Sequence, residues 1–171
     1  DNFFGQFTRR VGVDINYVSE DRPLGTAGAL GLMDLPKGTT LVINGDILTQ
    51  MDFRAMLSYH REQHADLTMA VWRYGVQVPY GVVEFQDAAV TRLSEKPSLD
   101  FFVNAGIYVI SPQLLRLVDK NERLDMPEFF QRAINGGHHA AVFPVREYWL
   151  DVGRLDDFER ANGDFSRLFE S

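Results

Sequence analysis

The stretch Thr39-Thr40-Leu41-Val42-Ile43-Asn44-Gly45-Asp46 decides how the rest of the chain is interpreted. An uninterrupted apolar run that ends in a turn signal is typical of a strand buried on both faces of a sheet. Such strands lie in the middle of α/β sheets, and ligands bind beyond their carboxyl ends. Asp46 is expected at that end, on a turn that Gly45 allows to bend sharply. Its carboxylate suits a hard cation such as Mg²⁺, although the same residue type equally often caps a loop or the next helix.

Length and composition indicate a single globular domain. The chain has 171 residues, of which 45% are hydrophobic and 24% are charged, and its net charge is −7. Because the charge is negative and no cluster of lysine or arginine occurs, a nucleic-acid partner is not expected. The absence of cysteine excludes disulfides and thiolate metal sites and favours a cytoplasmic setting. No apolar run is long enough to span a membrane.

Hydrophobic periodicity predicts strands and helices in alternation through the first half of the chain. Residues Val13–Val18 alternate like a half-buried strand, and Phe53–His64 has the spacing of an amphipathic helix. The apolar run Leu67–Trp72 predicts the next buried strand, and the strand–helix–strand order argues for parallel pairing through a right-handed crossover. His60 and His64 are four residues apart and could share a metal ion, but solvated histidines are the simpler interpretation.

The second half of the chain is predicted to contain a hairpin and a long strand. Residues Gly81–Phe85 and Ala89–Leu93 flank a turn and predict the hairpin. Residues Phe101–Ile110 predict the long strand, in which Gly106 marks a bulge or a close ligand approach. Asn104 in the same strand is expected to be buried, so it needs polar partners from the backbone or from a ligand.

Capping and turn signals predict the remaining elements. The predicted helices are Leu24–Leu30, Pro112–Val118, Met126–Ile134 and one from about Leu155, and a further strand is Ala140–Val145. Residues Phe3–Arg10 are predicted to contain the tail of a helix and a turn. Gly25 and Gly28 would let a ligand approach the start of their helix, where free N–H groups favour anions, or would allow tight packing on the sheet. Asp151 could be a second carboxylate facing Asp46, or a cap for the last helix.

Six short motifs occur in an order that resembles a single family. They are Leu24–Leu30 (LGTAGAL), Val42–Asp46 (VINGD), Tyr80–Val83 (YGVV), Glu95–Pro97 (EKP), Val103–Tyr108 (VNAGIY) and Tyr148–Gly153 (YWLDVG). The series resembles the sugar-1-phosphate nucleotidyltransferases, in particular their mannose-1-phosphate guanylyltransferase-like branch, over nearly the whole chain. The resemblance implies a nucleotide-diphospho-sugar transferase fold, which is a Rossmann-like three-layer α/β/α arrangement around a mixed sheet.

The resemblance also implies a reaction and a set of site residues. A sugar 1-phosphate would attack the α-phosphate of an NTP and release pyrophosphate. In this branch the NTP would be GTP, and the sugar phosphate would be mannose 1-phosphate or a related hexose or heptose phosphate. The resemblance implies that Asp46 and Asp151 share Mg²⁺ and that Gly25 and Thr26 lie against the base and ribose of the nucleotide. It also implies that Gly81, Glu95 and Asn104 hold the sugar and that Lys96 reaches the sugar phosphate. Asp46, Asp151 and Lys96 would be the catalytic ones.

Elementary chemistry agrees with these roles. Phosphoryl-type transfer depends on positioning and on charge neutralisation more than on covalent catalysis. Mg²⁺ takes few protein carboxylates and shares phosphate oxygens, and a lysine is a suitable point charge for a phosphate. A glutamate beside an asparagine can distinguish hexoses by their hydrogen bonds. Without the resemblance, Glu95 and Lys96 would be interpreted as a surface ion pair.

One departure from the family shapes the remaining expectations. Its Gly-rich phosphate loop and Pro-Lys-Pro segment do not occur, so residues 1–171 are predicted to be part of a catalytic domain that lacks the N-terminal strand and the phosphate loop. This part alone is expected to have little transferase activity and to pair with another copy through exposed strand edges. Two alternatives remain: a non-catalytic regulatory or binding module of the same fold, and a glycosyltransferase, which the single aspartate in Asn44-Gly45-Asp46 disfavours.

Overall fold

A central mixed sheet flanked by helices forms the fold in a computed structural model, which describes residues 12–153 and 155–169. The strands in this part of the chain are β1 (Thr40–Ile43), β2 (Ile47–Thr49), β3 (Leu67–Gln77), β4 (Val82–Gln86), β5 (Ala89–Ser94), β6 (Ser98–Ile110), β7 (Ala140–Pro144) and β8 (Trp149–Asp151). The central sheet has the order β1-β6-β3-β7. Strand β6 is antiparallel to β1 and β3, whereas β3 and β7 are parallel. Two antiparallel ribbons, β2–β8 and β4–β5, extend from it.

Helices connect these strands and cover the sheet. They are α1 (Gly25–Gly28), which continues as a 3₁₀ turn (Ala29–Leu32), α2 (Phe53–Glu62), a 3₁₀ helix (Pro112–Leu117), α3 (Met126–Asn135) and α4 (Leu155–Phe169). The helix tail and turn predicted within Phe3–Arg10 lie outside the described residues. Among the described residues, no helix has the length and apolar character needed to cross a bilayer.

The apolar residues of β6 alternate between two cores on opposite faces of the sheet. Tyr108 and Ile110 pack with α3 residues such as Phe129 in one core. Ile107 and Val109 pack with Met56 of α2 in the other. Because consecutive residues of a strand point to opposite faces, this division requires a helical layer on each side. The expected three-layer arrangement around a mixed sheet is therefore confirmed.

The position predicted for β1 is wrong in two respects. Within the described part of the chain β1 is an edge strand rather than a central one, and Ile43 at its end is 42% exposed. It also does not pair with β3, because β6 lies between them. Both β1 and β3 run antiparallel to β6, so they point the same way and the crossover through α2 skips one strand. The parallel pair is β3–β7 instead.

The strand predicted at Val13–Val18 is not formed. These residues have no regular structure, and Val13, Ile15, Tyr17 and Val18 are exposed. An alternating pattern predicts which face of a strand would be buried, but a strand also needs a partner for its backbone N–H and C=O groups. No described strand pairs with this segment.

The later elements agree closely with the sequence predictions. The hairpin β4–β5 turns at Asp87 and Ala88, which both have positive φ, as a two-residue turn of this kind requires. The bulge predicted at Gly106 is present, because the β3–β6 register shifts between Met69 and Val71 and Gly106 has φ +71°. The strand around it begins at Ser98 and is longer than predicted.

His60 differs from the expected solvated histidine. Helix α2 ends before His64, and His60 is only 3% exposed. Its Nδ1 lies 2.8 Å from the hydroxyl of Thr68, and its Nε2 lies 3.4 Å from the hydroxyl of Ser111. His60 is therefore a buried polar link between α2, the start of β3 and the end of β6.

Candidate active site

The two predicted metal carboxylates lie at one end of the β2–β8 ribbon, Asp46 just before β2 and Asp151 in β8. Ile47, which follows Asp46, pairs with Asp151 in the β2–β8 ribbon, and the Val152 N–H donates a 2.8 Å hydrogen bond to the Asp46 carbonyl. Burial and then the negative charges of Asp46 and Asp157 raise the pKa of Asp151 above its ordinary value. Residues that are more than one hundred positions apart in the sequence are thus close enough to repel each other.

The backbone before Asp46 is fixed by the bulge in β6. The Asn44 N–H donates a 2.9 Å hydrogen bond to the Gly106 carbonyl. Gly106 has φ +71°, and a Cβ there would lie 2.8 Å from the Asn44 amide nitrogen, so a side chain at this position is disfavoured both by the backbone and by this contact. The special conformation was predicted at Gly45, which does not have positive φ and has no heavy atom within 4 Å of where its Cβ would be. The residue that shapes this turn is therefore Gly106.

A cleft of about 470 Å³ opens beside Asp151. Its aromatic walls are Trp72, Tyr74 and Trp149, and its polar side chains are Asn104, Asp151, Asp157 and Arg160. The two indoles stack with ring centroids 5.8 Å apart, and the indole N–H of Trp149 donates a 2.9 Å hydrogen bond to the Ala105 carbonyl. The Trp149 ring is therefore held both by the stacking and by a hydrogen bond to β6.

Asn104 lines the cleft, but it is not buried as predicted. It lies on the exposed part of β6, where its side chain bonds within the strand. Its amide nitrogen donates to the Tyr108 hydroxyl at 2.7 Å, and its oxygen accepts the Gly106 N–H at 3.0 Å. Burial raises the pKa of Tyr108 and the bond from Asn104 partly offsets that. Within the described part of the chain, one N–H and one lone pair of the Asn104 amide remain for a ligand.

The motif residues Gly81, Glu95 and Lys96 come together at the base of the β4–β5 ribbon. Val82 pairs with Ser94, which brings the flanking residues side by side. A Cβ on Gly81 would lie 3.1 Å from a Glu95 carboxylate oxygen. Lys96 has φ +44°, a left-handed conformation that is uncommon outside glycine. All three are exposed, and in the described part of the chain they do not line the cleft that contains Asn104.

The predicted nucleotide-binding residues Gly25 and Thr26 lie at the start of α1, against the segment before α3. The N–H groups expected to be free there are not free. The Thr26 N–H donates to the Asp125 carboxylate at 3.0 Å, and those of Ala27 and Gly28 donate to the Leu124 carbonyl at 2.9 and 3.1 Å. Gly25 and Gly28 therefore allow tight packing, but the segment that packs against them is within residues 118–125 and not the sheet.

Asp125, Asp157 and Arg160 were missed by sequence reasoning. Asp125 immediately precedes α3, and Asp157 lies in the first turn of α4. Acidic residues at helix starts are ordinarily interpreted as caps or as partners of the helix dipole. The residue type of Asp125 and Asp157 therefore did not indicate a binding site. Asp157 and Arg160 are three residues apart, which places both on one helix face.

The carboxylates of Asp46 and Asp151 could supply only some of the ligands that a divalent cation needs. Among residues 12–153 and 155–169, no group of three or more histidine, cysteine, aspartate or glutamate side chains could hold a metal ion. Asp46 and Asp151 supply hard oxygen ligands, and the repulsion that raises the pKa of Asp151 is the kind that a bound cation relieves. Two protein carboxylates are enough for Mg²⁺ when phosphate oxygens complete its shell.

Two curated proteins are similar to this chain over most of its length. A probable mannose-1-phosphate guanylyltransferase 1 of Oryza sativa subsp. japonica is 31% identical over 167 residues, covering 92% of this chain and 46% of the relative. The mannose-1-phosphate guanylyltransferase of Mycobacterium tuberculosis is 30% identical over 165 residues, covering 92% of this chain and 46% of that protein. The chain thus spans about half the length of the curated relatives it matches.

The fold and the family are supported by two further comparisons. The crystal structure of HddC from Yersinia pseudotuberculosis superimposes with a TM-score of 0.62 at 21% identity, covering 96% of this chain and 74% of that one, so the two share a fold. The model of the family described as nucleotidyl transferase matches residues 4–167. Because this match takes in nearly every residue of the chain, the protein belongs to the nucleotidyl transferase family.

Proposed function

We propose that this chain is part of an enzyme that transfers a guanylyl group from GTP to a sugar 1-phosphate, with mannose 1-phosphate as the first candidate. The observation that carries the proposal is the proximity of Asp46, just before β2, to Asp151 in β8, which lines a cleft that also contains Asn104. Membership of the nucleotidyl transferase family supports the reaction class. The names of the rice and mycobacterial relatives support guanine and mannose.

The proposed reaction is a single displacement at phosphorus. A phosphate oxygen of the sugar 1-phosphate forms a bond to the α-phosphorus of GTP. The bond from that phosphorus to the bridging oxygen breaks, and its electron pair leaves with pyrophosphate. Charge builds up on oxygens that already repel one another, so the protein contributes by aligning the two substrates and offsetting that charge.

Asp46 and Asp151 are the proposed ligands of Mg²⁺. The cation would supply positive charge beside the reacting phosphates, which is the main catalytic requirement of this chemistry. The β2–β8 ribbon supports this assignment, because it pairs Ile47, the residue after Asp46, with Asp151, and the Val152 N–H bonds to the Asp46 carbonyl. Gly25 and Thr26 are proposed to hold the nucleotide.

The sugar is proposed to lie along the outer part of β6 and the base of the β4–β5 ribbon. Asn104 offers one N–H and one lone pair, and Glu95 offers a carboxylate for hydroxyl groups. Gly81 keeps the approach to Glu95 open, since any Cβ there would crowd its carboxylate at 3.1 Å. Lys96, next to Glu95, is the proposed contact of the sugar phosphate.

The test measures pyrophosphate release with the four common NTPs and a panel of sugar 1-phosphates in the presence of Mg²⁺. It is run on the 171-residue chain and on the longest protein that its gene encodes. We expect release with GTP and one sugar phosphate, and a loss of at least about a hundredfold in Asp46→Asn. The matched control is Asp87→Asn in the β4–β5 turn, where asparagine tolerates the left-handed backbone at φ 47°.

Two results would overturn the proposal. One is silence across the whole panel from a folded protein of full encoded length, which would favour a regulatory module of the same fold. The other is an equal loss in Asp87→Asn and Asp46→Asn, because it would show that the effect comes from surface charge and not from a metal ligand.

A further inference from the structure

Helices α1 and α3 cap each other although their first residues are about a hundred positions apart. Asp125 is the N-cap residue of α3, but its side chain bonds to none of the N–H groups of its own helix. It accepts instead the Thr26 N–H of α1 at 3.0 Å. Thr26 reciprocates, because its hydroxyl accepts the Met126 N–H of α3 at 2.8 Å and lies 3.5 Å from the same Asp125 oxygen.

The backbone around this pair is shaped to permit it. Gly25 has φ +80°, and a Cβ there would lie 2.6 Å from the Asp125 carboxylate and 2.7 Å from the Leu124 carbonyl. The Leu124 N–H donates to the Leu24 carbonyl at 2.8 Å, so the two chain segments are bonded in both directions. Glycine at position 25 is therefore required by Asp125 as much as by any ligand.

The reciprocal cap limits what the Gly25–Gly28 segment can bind. Its N–H groups at Thr26, Ala27 and Gly28 are already used within the protein. A carboxylate 3.0 Å from the Thr26 nitrogen also repels negative charge. Phosphates are therefore disfavoured at this segment, which agrees with the family resemblance, since that implies base and ribose as the parts of the nucleotide that contact Gly25 and Thr26.

We propose that Asp125 is a positioning residue for nucleotide binding, which holds Gly25 and Thr26 in place against the nucleoside part of the substrate. This inference rests on the proposed function, in which that segment contacts the nucleotide. Thr26 and Asp125 are both exposed, whereas Ala27 and Leu124 beneath them are buried. The polar pair thus lies at the surface where a ligand can reach it, above an apolar contact that would hold the segments together without it.

The test compares the affinities of guanosine, GMP and GTP for the protein preparation used in the activity assay, measured by titration calorimetry in Mg²⁺. In Asp125→Ala we expect all three affinities to fall by the same factor, about tenfold, since the loss concerns the nucleoside they share. Asp125→Asn keeps an acceptor oxygen for the Thr26 N–H and should restore most of the affinity. The KM for the sugar phosphate should not change.

Glu122→Gln is the matched control. Glu122 lies in the same segment and holds it to α3 through two hydrogen bonds from Arg132, at 2.6 and 3.0 Å. This substitution should lower the melting temperature without changing nucleotide affinity, so a purely structural role of the segment is separated from positioning. If Asp125→Ala does not fold, Thr26→Val and Thr26→Ser replace it: valine loses the hydroxyl that caps α3 and should weaken binding, and serine should retain it.

The outcomes separate this inference from the proposed function. Unchanged affinities in Asp125→Ala, beside normal binding and activity in the unsubstituted protein, would overturn the positioning role alone. A loss that grows from guanosine to GTP would also overturn it, because the segment would then act on the phosphates. Absence of both nucleotide binding and transfer in the unsubstituted protein would overturn the proposed function, and the inference with it.

Discussion

Strands β3 and β6 pair along their whole length, yet their two halves have opposite surroundings. At the inner half, Leu67 of β3 and Ile107 of β6 are fully buried between helical layers. At the outer half, Tyr74 and Phe102 are exposed although the same ladder joins the strands. The inner half also pairs with β1 and β7 and is covered by helices on both faces, whereas among the described strands the outer half has only the β3–β6 ladder. The inner half therefore provides stability, and the outer half is free to carry binding residues.

The largest expected effect comes from truncating one side chain in each half of β6. Ile107→Ala should lower the free energy of unfolding by about 2–5 kcal/mol, because it leaves a cavity in a closed core. Phe102→Ala removes a larger side chain, but that side chain is 69% exposed and the change should stay within about 0.5 kcal/mol. Urea unfolding of both variants measures the difference. Similar losses would show that the outer half is covered like the inner one.

The bulge at Gly106 separates the two halves of β6. A substitution that disrupts this bulge should have an intermediate effect on the free energy of unfolding. Gly106→Ala forces a side chain into φ +71° and places its Cβ 2.8 Å from the Asn44 amide. We expect a loss of about 1–3 kcal/mol in the free energy of unfolding. Gly45→Ala, in the adjoining turn with no heavy atom within 4 Å, is the control and should change little. Equal losses in the two variants would contradict a role for the bulge.

Local patterns predicted those parts of the fold that local chemistry decides. The hairpin turn at Asp87 and the bulge at Gly106 follow from residue types that tolerate unusual backbone. The edge position of β1 could not be predicted, because it depends on β6, which comes much later in the chain and takes the place beside β3. Long-range pairing leaves no signature in a short window of sequence.

The sequence predicted those candidate site residues that belong to recognisable motifs. The motif order predicted Asp46 and Asp151 as partners in metal binding, and in the structure Asp46 lies just before β2 while Asp151 lies in β8, the strand that pairs with β2. Asp125 could not be found in this way, because its role depends on a contact with Thr26 across the fold. His60 did leave a signal that was not used: it follows Met56 by four residues, the spacing of the buried face of α2.

The smallest expected effect is a pH dependence of the free energy of unfolding. It originates at His60 of α2, which contacts Thr68 near the start of β3. Burial lowers the pKa of His60 below its ordinary value of 6.5, while the charge of Asp66 raises it in part and that of Arg61 lowers it further. Between the folded and unfolded pKa values the unfolded chain binds more protons, so stability is complete above pH 6.5 and falls as the pH drops below it. The lowered pKa of Asp66 acts only below its ordinary value of 3.8 and does not contribute in this range.

Urea unfolding at about pH 7.5 and about pH 5.5 measures this effect. His60→Gln replaces the ring with an amide that does not titrate, so the part of the stability loss that is due to His60 should disappear. His64→Gln, at the exposed histidine just beyond the same helix, should leave the loss unchanged. If His64→Gln removed the dependence and His60→Gln did not, the exposed surface rather than the buried inner half would govern the response to acid. The difference between buried and exposed residues, which governs the effects of the substitutions above, would then not govern the effect of pH on stability.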